Sequence, residues 1–238
     1  MEKINKSTGT LYICGTPIGN LEDITLRTIR ILGEVHLIAS EDTRSTGKIL
    51  EKFNIKTPQI SYHRHSNTRK KEKLLEELKN GKNIALVSEA GMPGISDPGE
   101  ELIALCIEEH IKIIAIPGCS SVTTAVALSG LSTRRFVFEG FLPREGKGRR
   151  RRLRLLKDES RTIVLYLSPH RVCKELKDIL SIWGDRQVFW GRELTKKFEE
   201  CWRGNLSNLL SHLENRKIKG EITFVIEGFF SEESVIDK

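Results

Sequence analysis

Residues 10–20 read TLYICGTPIGN, a mostly apolar pentapeptide followed by a turn that contains two glycines and a proline. The run Thr10–Cys14 has the length and composition of a buried strand, and a helical pattern of apolar residues follows over Asp23–Leu32. A buried strand that turns directly into a helix is the repeating unit of a parallel sheet. This stretch therefore predicts an α/β fold.

The same alternation continues through the first half of the chain. Strands are expected at Val35–Ala39, Ile84–Val87 and Ile111–Ile116, with a charged helix over Asn67–Lys79. The tetrapeptide Asp97-Pro98-Gly99-Glu100 predicts the next helix start, since aspartate suits the N-cap and proline the first helical position.

A second α/β unit is expected after Pro117-Gly118, which we interpret as a hinge. The predicted domains are 1–117 and 118–238, both with mainly parallel or mixed sheets. A helix is expected to begin at Cys119-Ser120-Ser121. The strands predicted for the second domain are Arg135–Gly140, Thr162–Leu167, Gln187–Trp190 and Glu221–Ile226.

Composition excludes several classes of protein. No apolar stretch approaches the roughly 20 residues that cross a bilayer, and the polar first ten residues lack a signal-peptide pattern, so we expect a cytoplasmic location and no membrane partner. The five cysteines form no zinc or disulfide pattern, so no metal is expected. The formal charge of +7 favours a polyanionic partner.

Polar clusters follow three of the predicted strands. They read GTPIGN at 15–20, SEDTR at 40–44 and SEAGMPGISDPG at 88–99. In open parallel sheets ligands bind at the carboxyl ends of the strands. These clusters are therefore candidate ligand loops.

Nine motifs, in family order over almost the whole chain, resemble the tetrapyrrole methylase superfamily, the class III methyltransferases. Within it, the chain is similar to the family of small-subunit ribosomal RNA cytidine 2′-O-methyltransferases. The motifs are residues 15–32, 40–44, YHRH (62–65), 87–99, PGCSS (117–121), FEGFLPR (138–144), SPHR (168–171), RELTKKFEE (192–200) and KGEITFVIEG (219–228).

The resemblance implies S-adenosyl-L-methionine bound in a cleft between two α/β domains, usually in a homodimer. It also implies 2′-O-methylation of a decoding-region cytidine in 16S ribosomal RNA, with that RNA or the small ribosomal subunit as partner. Two alternatives stay open: a class III methyltransferase that acts on a tetrapyrrole or other small acceptor, and a non-catalytic RNA-binding relative.

The resemblance also implies a set of cofactor-binding residues. Three positions depart from the family pattern, because Glu89, Met92 and Leu167 replace the usual aspartate, threonine and glutamate. The expected cofactor-binding residues are Pro17, Ser88, Ala90, Gly91, Met92, Ile95, Ser120, Ser121, Tyr166 and Leu167.

Glu41, Asp42 and Arg44 are the catalytic candidates. Two adjacent acids at a strand end are costly to bury without partners, and in the family this segment faces the acceptor. One acid would accept or orient the 2′-hydroxyl proton, while Arg44 holds a phosphate or the acid. The alternative is a solvated salt bridge in a turn.

Two further segments are expected to contact RNA. His63 and His65 are more consistent with an RNA-facing loop than with a metal site, since no third ligand has suitable spacing. The basic run KGRRRRLR at 147–154 would contact phosphates through Arg149, Arg150, Arg151 and Arg152, although such runs are usually only solvated faces. Ion pairing that holds structure is the default role for Arg192, Glu193 and Lys196.

Overall fold

The structure is a computed structural model that describes residues 8–63 and 68–230. It forms two compact units, the first ending at Ser120 and the second beginning at Ser121. The division falls three residues after the boundary that we predicted at 117/118.

The first unit is a five-stranded sheet with helices between its strands. The strand order is β3-β2-β4-β1-β5, and every neighbouring pair is parallel. The elements are β1 (Thr10–Cys14), α1 (Leu26–Glu34), β2 (Leu37–Ser40), α2 (Thr43–Lys52), β3 (Gln59–Ser61), α3 (Thr68–Lys79), β4 (Ile84–Val87), α4 (Glu100–Glu108) and β5 (Lys112–Ile116).

Helices cover both faces of this sheet, which explains why its central strands are mostly apolar. Leu74 of α3 and Leu102 of α4 are buried in one cluster with Leu11 of β1. Leu32 of α1 and Leu50 of α2 are buried in a second cluster, on the other face. The helices that follow the adjacent strands β1 and β4 thus leave toward opposite faces. In open α/β sheets such a reversal predicts a ligand-binding crevice, here at the carboxyl ends of β1 and β4.

Two helices begin later than predicted. The helix expected from Asp23 begins at Leu26, because Leu21–Asp23 form a short 3-10 turn and the Thr25 hydroxyl caps the helix by accepting from the Thr28 amide at 3.1 Å. The predicted N-cap at Asp97 is wrong.

Gly99, with φ of +142°, is the N-cap of α4 instead. A Cβ at Gly99 would lie 2.9 Å from Leu86 Cδ2. The chain therefore needs glycine immediately before the helix, for conformation and for space.

The second unit is a mixed five-stranded sheet in the order β6-β7-β10-β8-β9. Only the β6–β7 pair is parallel. Helices α6, α7 and α8 bury apolar side chains in one core with this sheet, and α5 packs against β8 and β10. The elements are α5 (Ser121–Ser129), β6 (Phe136–Phe141), α6 (Gly146–Leu155), β7 (Thr162–Leu167), α7 (Val172–Trp183), β8 (Gln187–Arg192), β9 (Glu200–Asn205), α8 (Leu206–His212) and β10 (Ile222–Ile226).

The predicted fold class is confirmed: two α/β units, one parallel and one mixed. Among the residues that the structure describes, no helix combines the length and hydropathy needed to span a bilayer.

Candidate active site

The loops after β1 and β4 are joined by backbone hydrogen bonds. The Thr16 amide donates to the Gly91 carbonyl at 2.9 Å, and the Gly91 amide donates back to the Thr16 carbonyl at 3.1 Å. The Thr16 hydroxyl also lies 3.4 Å from the Gly91 carbonyl oxygen. Gly91 has φ of +80°, a conformation that glycine adopts without strain. The predicted crevice between β1 and β4 is therefore bordered by a backbone frame that two hydrogen bonds close.

A second close approach joins the loops after β1 and β5. A Cβ on Gly15 would lie 2.7 Å from Gly118 Cα and 2.7 Å from Met92 Sδ, so only glycine fits. The Gly15 amide donates to the Ile116 carbonyl at 3.0 Å, which holds the pair in register. The two glycines thus bring the β1 and β5 loops into backbone contact at the carboxyl edge of the sheet.

Several predicted cofactor residues lie on this frame. Pro17 is buried in the β1 loop, and Ala90 and Gly91 lie in the β4 loop. The Ser88 hydroxyl bonds within its own loop, to the carbonyls of Ala90 and Gly91 at 3.3 Å each. The Ser88 hydroxyl thus holds the β4 loop together and already donates to carbonyls of that loop.

Met92 and Ile95, also predicted to bind the cofactor, differ in exposure. The Met92 side chain packs against the core of the first unit. The Ile95 side chain is about half exposed, at 49%. Met92 also lies beside Gly15, because a Cβ on that glycine would be 2.7 Å from Met92 Sδ.

The acidic pair after β2 lies on the strand next to β4, at the same edge of the sheet. Glu41 Oε2 accepts from the Glu89 amide at 3.1 Å, which ties the β2 loop to the β4 loop. Its other oxygen, Oε1, has no partner within the described part of the chain. Glu41 is therefore held in place with one oxygen available to a ligand.

Asp42 has a structural role as the N-cap of α2. Its carboxylate accepts from the Arg44 amide at 2.8 Å, and this hydrogen bond lowers the pKa of Asp42. The Arg44 guanidinium is exposed, with its Nε 3.6 Å from Asp42 Oδ1. Asp42 is thus a weaker base than an ordinary carboxylate, and the Arg44 side chain is accessible to an anionic ligand.

Two further predicted residues meet inside the second unit. The Ser121 hydroxyl, at the start of α5, lies 2.9 Å from the Tyr166 hydroxyl at the end of β7. The Tyr166 ring packs against Phe138 and Phe141, with centroids 5.0 and 5.3 Å away. Leu167 is 1% exposed and its side chain lies in the core, which leaves only its backbone for a ligand. Ser120 lies after β5, at the end of the first unit.

The predicted histidines follow β3. His63 is exposed at the end of that strand, and His65 lies outside the described residues. No cluster of three or more His, Cys, Asp or Glu side chains suited to a metal ion occurs within residues 8–63 and 68–230.

The four arginines of the basic run divide into two pairs along α6. Arg149 is 6% exposed and donates from Nε to Asp178 at 2.7 Å. Arg152 forms a bidentate pair with Glu139, at 2.5 and 2.7 Å. Arg150 and Arg151 are exposed, although the Arg150 guanidinium also lies 3.7 Å from the Asp178 carboxylate. The interpretation of all four as one phosphate-contacting group therefore needs correction, because Arg149 and Arg152 are engaged inside the unit.

The motif RELTKKFEE forms ion pairs at the end of β8. Arg192 donates to Glu200 at 2.7 Å, and Lys196 donates to Glu193 at 2.9 Å and to Glu221 at 2.8 Å. The structural role that we expected for Arg192, Glu193 and Lys196 agrees with these contacts.

Sequence reasoning missed three residues that build the site. Thr16 and Gly118 were not among the predicted cofactor residues, and Gln59 was not singled out at all. The Gln59 side chain accepts from the Ser40 hydroxyl at 3.1 Å and donates to the Thr43 carbonyl at 3.0 Å, which braces the start of α2. Thr16 and Gly118 could have been predicted from the small residues that follow the ends of β1 and β5.

Comparison with known proteins identifies relatives of this chain. A family model described as Tetrapyrrole (Corrin/Porphyrin) Methylases matches residues 10–210. The ribosomal RNA small subunit methyltransferase I of Thermotoga maritima is 51% identical over 220 residues, which cover 92% of this chain and 99% of that protein. The protein of the same name from Synechocystis sp. is 48% identical over 238 residues, with coverage of 97% and 85%.

Solved structures share the fold at low sequence identity. A cobalt precorrin-4 methyltransferase of cobalamin biosynthesis has a TM-score of 0.69 and 19% identity, over 92% of this chain and 94% of its own. A uroporphyrin-III C-methyltransferase from Thermus thermophilus, complexed with S-adenosyl homocysteine, has a TM-score of 0.66 and 17% identity, over 92% and 97%. The chain therefore belongs to the tetrapyrrole (corrin/porphyrin) methylase family and, within it, to the group of ribosomal RNA small subunit methyltransferases I.

Proposed function

We propose that this protein transfers the methyl group of S-adenosylmethionine to the ribose 2′-hydroxyl of a decoding-region cytidine in 16S ribosomal RNA. The observation that carries the proposal is the juxtaposition at the carboxyl edge of the first sheet. There a glycine-built crevice between β1 and β4 adjoins Glu41, on the neighbouring strand. The relatives at about half identity, named as small-subunit ribosomal RNA methyltransferases, support RNA as the acceptor.

The residues of the first unit fit the cofactor. The predicted crevice borders the loops that Thr16 and Gly91 join, and a Cβ at Gly15 would collide with Gly118 where the β1 and β5 loops touch. Close backbone approach of this kind suits a ligand that is gripped by main-chain amides and carbonyls. When bound, the sulfonium of S-adenosylmethionine supplies an activated methyl group. We expect Pro17, Ala90 and Gly91 to hold the cofactor in the first unit, and Ser121 and Tyr166 to contribute from the second.

Glu41 is proposed to accept the proton of the ribose hydroxyl. Its Oε2 is fixed by the Glu89 amide, so its Oε1 is held in one position toward an acceptor. Arg44, whose guanidinium is exposed, is proposed to bind an adjacent phosphate of the RNA. Positioning of the hydroxyl beside a fixed carboxylate lowers the entropic part of the barrier.

Two measurements test the function. Calorimetry with S-adenosylhomocysteine should detect binding to the purified protein. Methylation assays should transfer label from S-adenosylmethionine to small ribosomal subunits from cells that lack this protein, and mass mapping should place it on one ribose. Label on uroporphyrinogen instead of RNA would refute the proposed acceptor, and absence of S-adenosylhomocysteine binding would indicate a non-catalytic relative.

Arg150 and Arg151 are proposed to contact RNA phosphates, because both lie on the exposed side of α6. The double variant R150Q/R151Q should bind small ribosomal subunits about tenfold more weakly at low salt. The slope of log affinity against log salt should fall by about one for each phosphate that the variant no longer binds. Filter binding over a salt series measures both quantities.

Arg149→Gln is the matched comparison on the same helix. It leaves Asp178 without its closest partner in a largely buried setting, so it should lower the free energy of unfolding by about 3 kcal/mol in urea titration. At temperatures where the variant is folded, its salt slope should equal that of the wild type. An unchanged slope for R150Q/R151Q would show that α6 is not an RNA contact.

A homodimer and a cytoplasmic location remain proposals that follow from the family. Sedimentation of the purified protein over a concentration series would measure the first. Fractionation of cells together with their ribosomes would measure the second.

A further inference from the structure

An exposed aromatic side chain lies in the loop after β8, at residues 193–199. Phe198 leaves 67% of its surface exposed. The Lys197 ammonium lies 5.7 Å from the centroid of the Phe198 ring, within the range of a cation–π contact. An exposed aromatic ring beside a cation offers both stacking and charge to a ligand.

The 193–199 loop is held rigidly although two of its residues are strained. Glu193 and Thr195 have φ of 52° and 65°, which non-glycine residues rarely adopt. Lys196 binds the carboxylates of Glu193 and Glu221, and the Thr195 amide donates to the Glu199 carboxylate at 2.6 Å. Such strain persists only where the surroundings impose it. These ion pairs and hydrogen bonds of the 193–199 loop therefore hold Phe198 in a fixed position.

The surface around the loop has excess positive charge. Lys197, Lys217 and Lys219 are exposed and form no ion pair within the described part of the chain. The segment before β10 lies beside the loop, because Ile222 pairs with Arg192 in register and Arg192 donates to the Lys219 carbonyl at 3.2 Å. The carboxylates of Glu193, Glu200 and Glu221 at this end of the sheet are already paired with cations. The exposed Glu199 carboxylate accepts from the Thr195 amide and offsets one of the three lysine charges.

We propose that Phe198 stacks on an unpaired base of the acceptor RNA while Lys197 contacts the neighbouring phosphate. This inference rests on the proposed function, and it assigns part of the RNA-binding surface to a loop that contains none of the candidate cofactor-binding or catalytic residues. Proteins that recognise RNA sequence mostly bind unpaired bases, which stack on aromatic side chains. A purely apolar protein partner would leave the three lysines without a counter-charge.

Phe198→Ala tests the stacking contact. The probe is a labelled, unstructured RNA of about ten nucleotides that contains cytidine, a length within the range of single-strand binding sites. Fluorescence anisotropy should show binding about tenfold weaker than that of the wild type, with an unchanged salt slope. Phe198→Trp keeps an aromatic face, so its affinity should stay within about twofold of the wild type. Lys197→Gln should instead reduce the salt slope by about one.

Phe230→Ala is the matched control. Phe230 is 64% exposed, and it follows β10, which runs antiparallel to β8 and so ends at the opposite end of the same sheet. Its RNA affinity should equal that of the wild type. Calorimetry with S-adenosylhomocysteine should give the same affinity for all four variants, because none changes a candidate cofactor-binding or catalytic residue.

The outcomes separate this inference from the proposed function. Wild-type protein that binds neither S-adenosylhomocysteine nor the RNA would refute the proposed function. Wild-type affinity for the RNA in Phe198→Ala, with cofactor binding intact, would refute only the stacking contact. A fall in the sedimentation coefficient of Phe198→Ala without loss of RNA affinity would show that the loop is an interface between protein chains. If Phe198→Ala fails to fold, the salt slope of Lys197→Gln tests whether the loop contacts RNA, and a slope equal to that of the wild type would refute the contact.

Discussion

Gly15→Ala is expected to weaken S-adenosylhomocysteine binding by about two orders of magnitude. The added methyl would lie 2.7 Å from Gly118 Cα and 2.8 Å from the Gly118 amide nitrogen, so the β1 and β5 loops must separate. Misplacement by about 1 Å can cost about a hundredfold in reaction rate in well-organised active sites, and we expect a loss of similar size in cofactor affinity. Isothermal calorimetry measures the loss, and urea titration should show an overpacking cost of about 1–3 kcal/mol in the free energy of unfolding.

Gly33→Ala provides the control for this variant. Gly33 lies in α1, and a Cβ there would meet no atom within 4 Å. Alanine favours the helix, so stability should rise by about 0.5–1 kcal/mol with no change in cofactor affinity. Cofactor affinity in Gly15→Ala within about twofold of the wild type would show that the crevice between β1 and β4 does not depend on the loop contact that we assign to it.

The strands that the sequence predicts best are those buried on both faces. Thr10–Cys14, Ile84–Val87 and Thr162–Leu167 are observed with the predicted bounds, because a strand covered on both sides must be apolar at nearly every position. The missed strands β3 and β9 are edge strands. Each has a neighbour on one side only, and its partly polar sequence does not differ from that of a loop.

The positions of the site loops could be predicted, but the directions of several side chains could not. Polar clusters after apolar runs located the loops that follow β1, β2 and β4. Whether Ser88 faces a ligand or its own loop depends on hydrogen bonds to carbonyls that the sequence does not locate. Leu167 lies in a strand whose residues are nearly all buried. Because polar and apolar residues do not alternate along it, the sequence does not show which way the Leu167 side chain points.

The burial of Arg149 could have been predicted from the helical spacing of the sequence. Arg149, Leu153 and Leu156 are spaced by four and three residues, which places them on one face of a helix. Leu153 and Leu156 lie in the core, and the arginine on their face pairs with Asp178. Interpreting the run as a uniform basic stretch overlooked this periodicity, which separates the buried Arg149 from the exposed Arg150 and Arg151.

Glu41→Gln is expected to slow single-turnover methylation of small ribosomal subunits by about 10²–10⁴-fold, the range typical of a lost general base. The amide oxygen can still accept from the Glu89 amide, so the β2 and β4 loops should stay joined and S-adenosylhomocysteine affinity should not change. Rapid-quench assays with labelled S-adenosylmethionine measure the rate. A wild-type rate for this variant would exclude Glu41 as the proton acceptor.

Asp42 provides the internal comparison, because its carboxylate is already committed to the N-terminus of α2. Asparagine caps helices about as well as aspartate, so Asp42→Asn should keep the stability of the wild type, whereas Asp42→Ala should lose about 1 kcal/mol. The Arg44 amide lowers the pKa of Asp42 and makes it the poorer base, so Asp42→Asn should slow methylation less than Glu41→Gln does. If Asp42→Asn caused the larger decrease in rate, the two acids would exchange roles: Asp42 would accept the proton, and Glu41 would only join the loops.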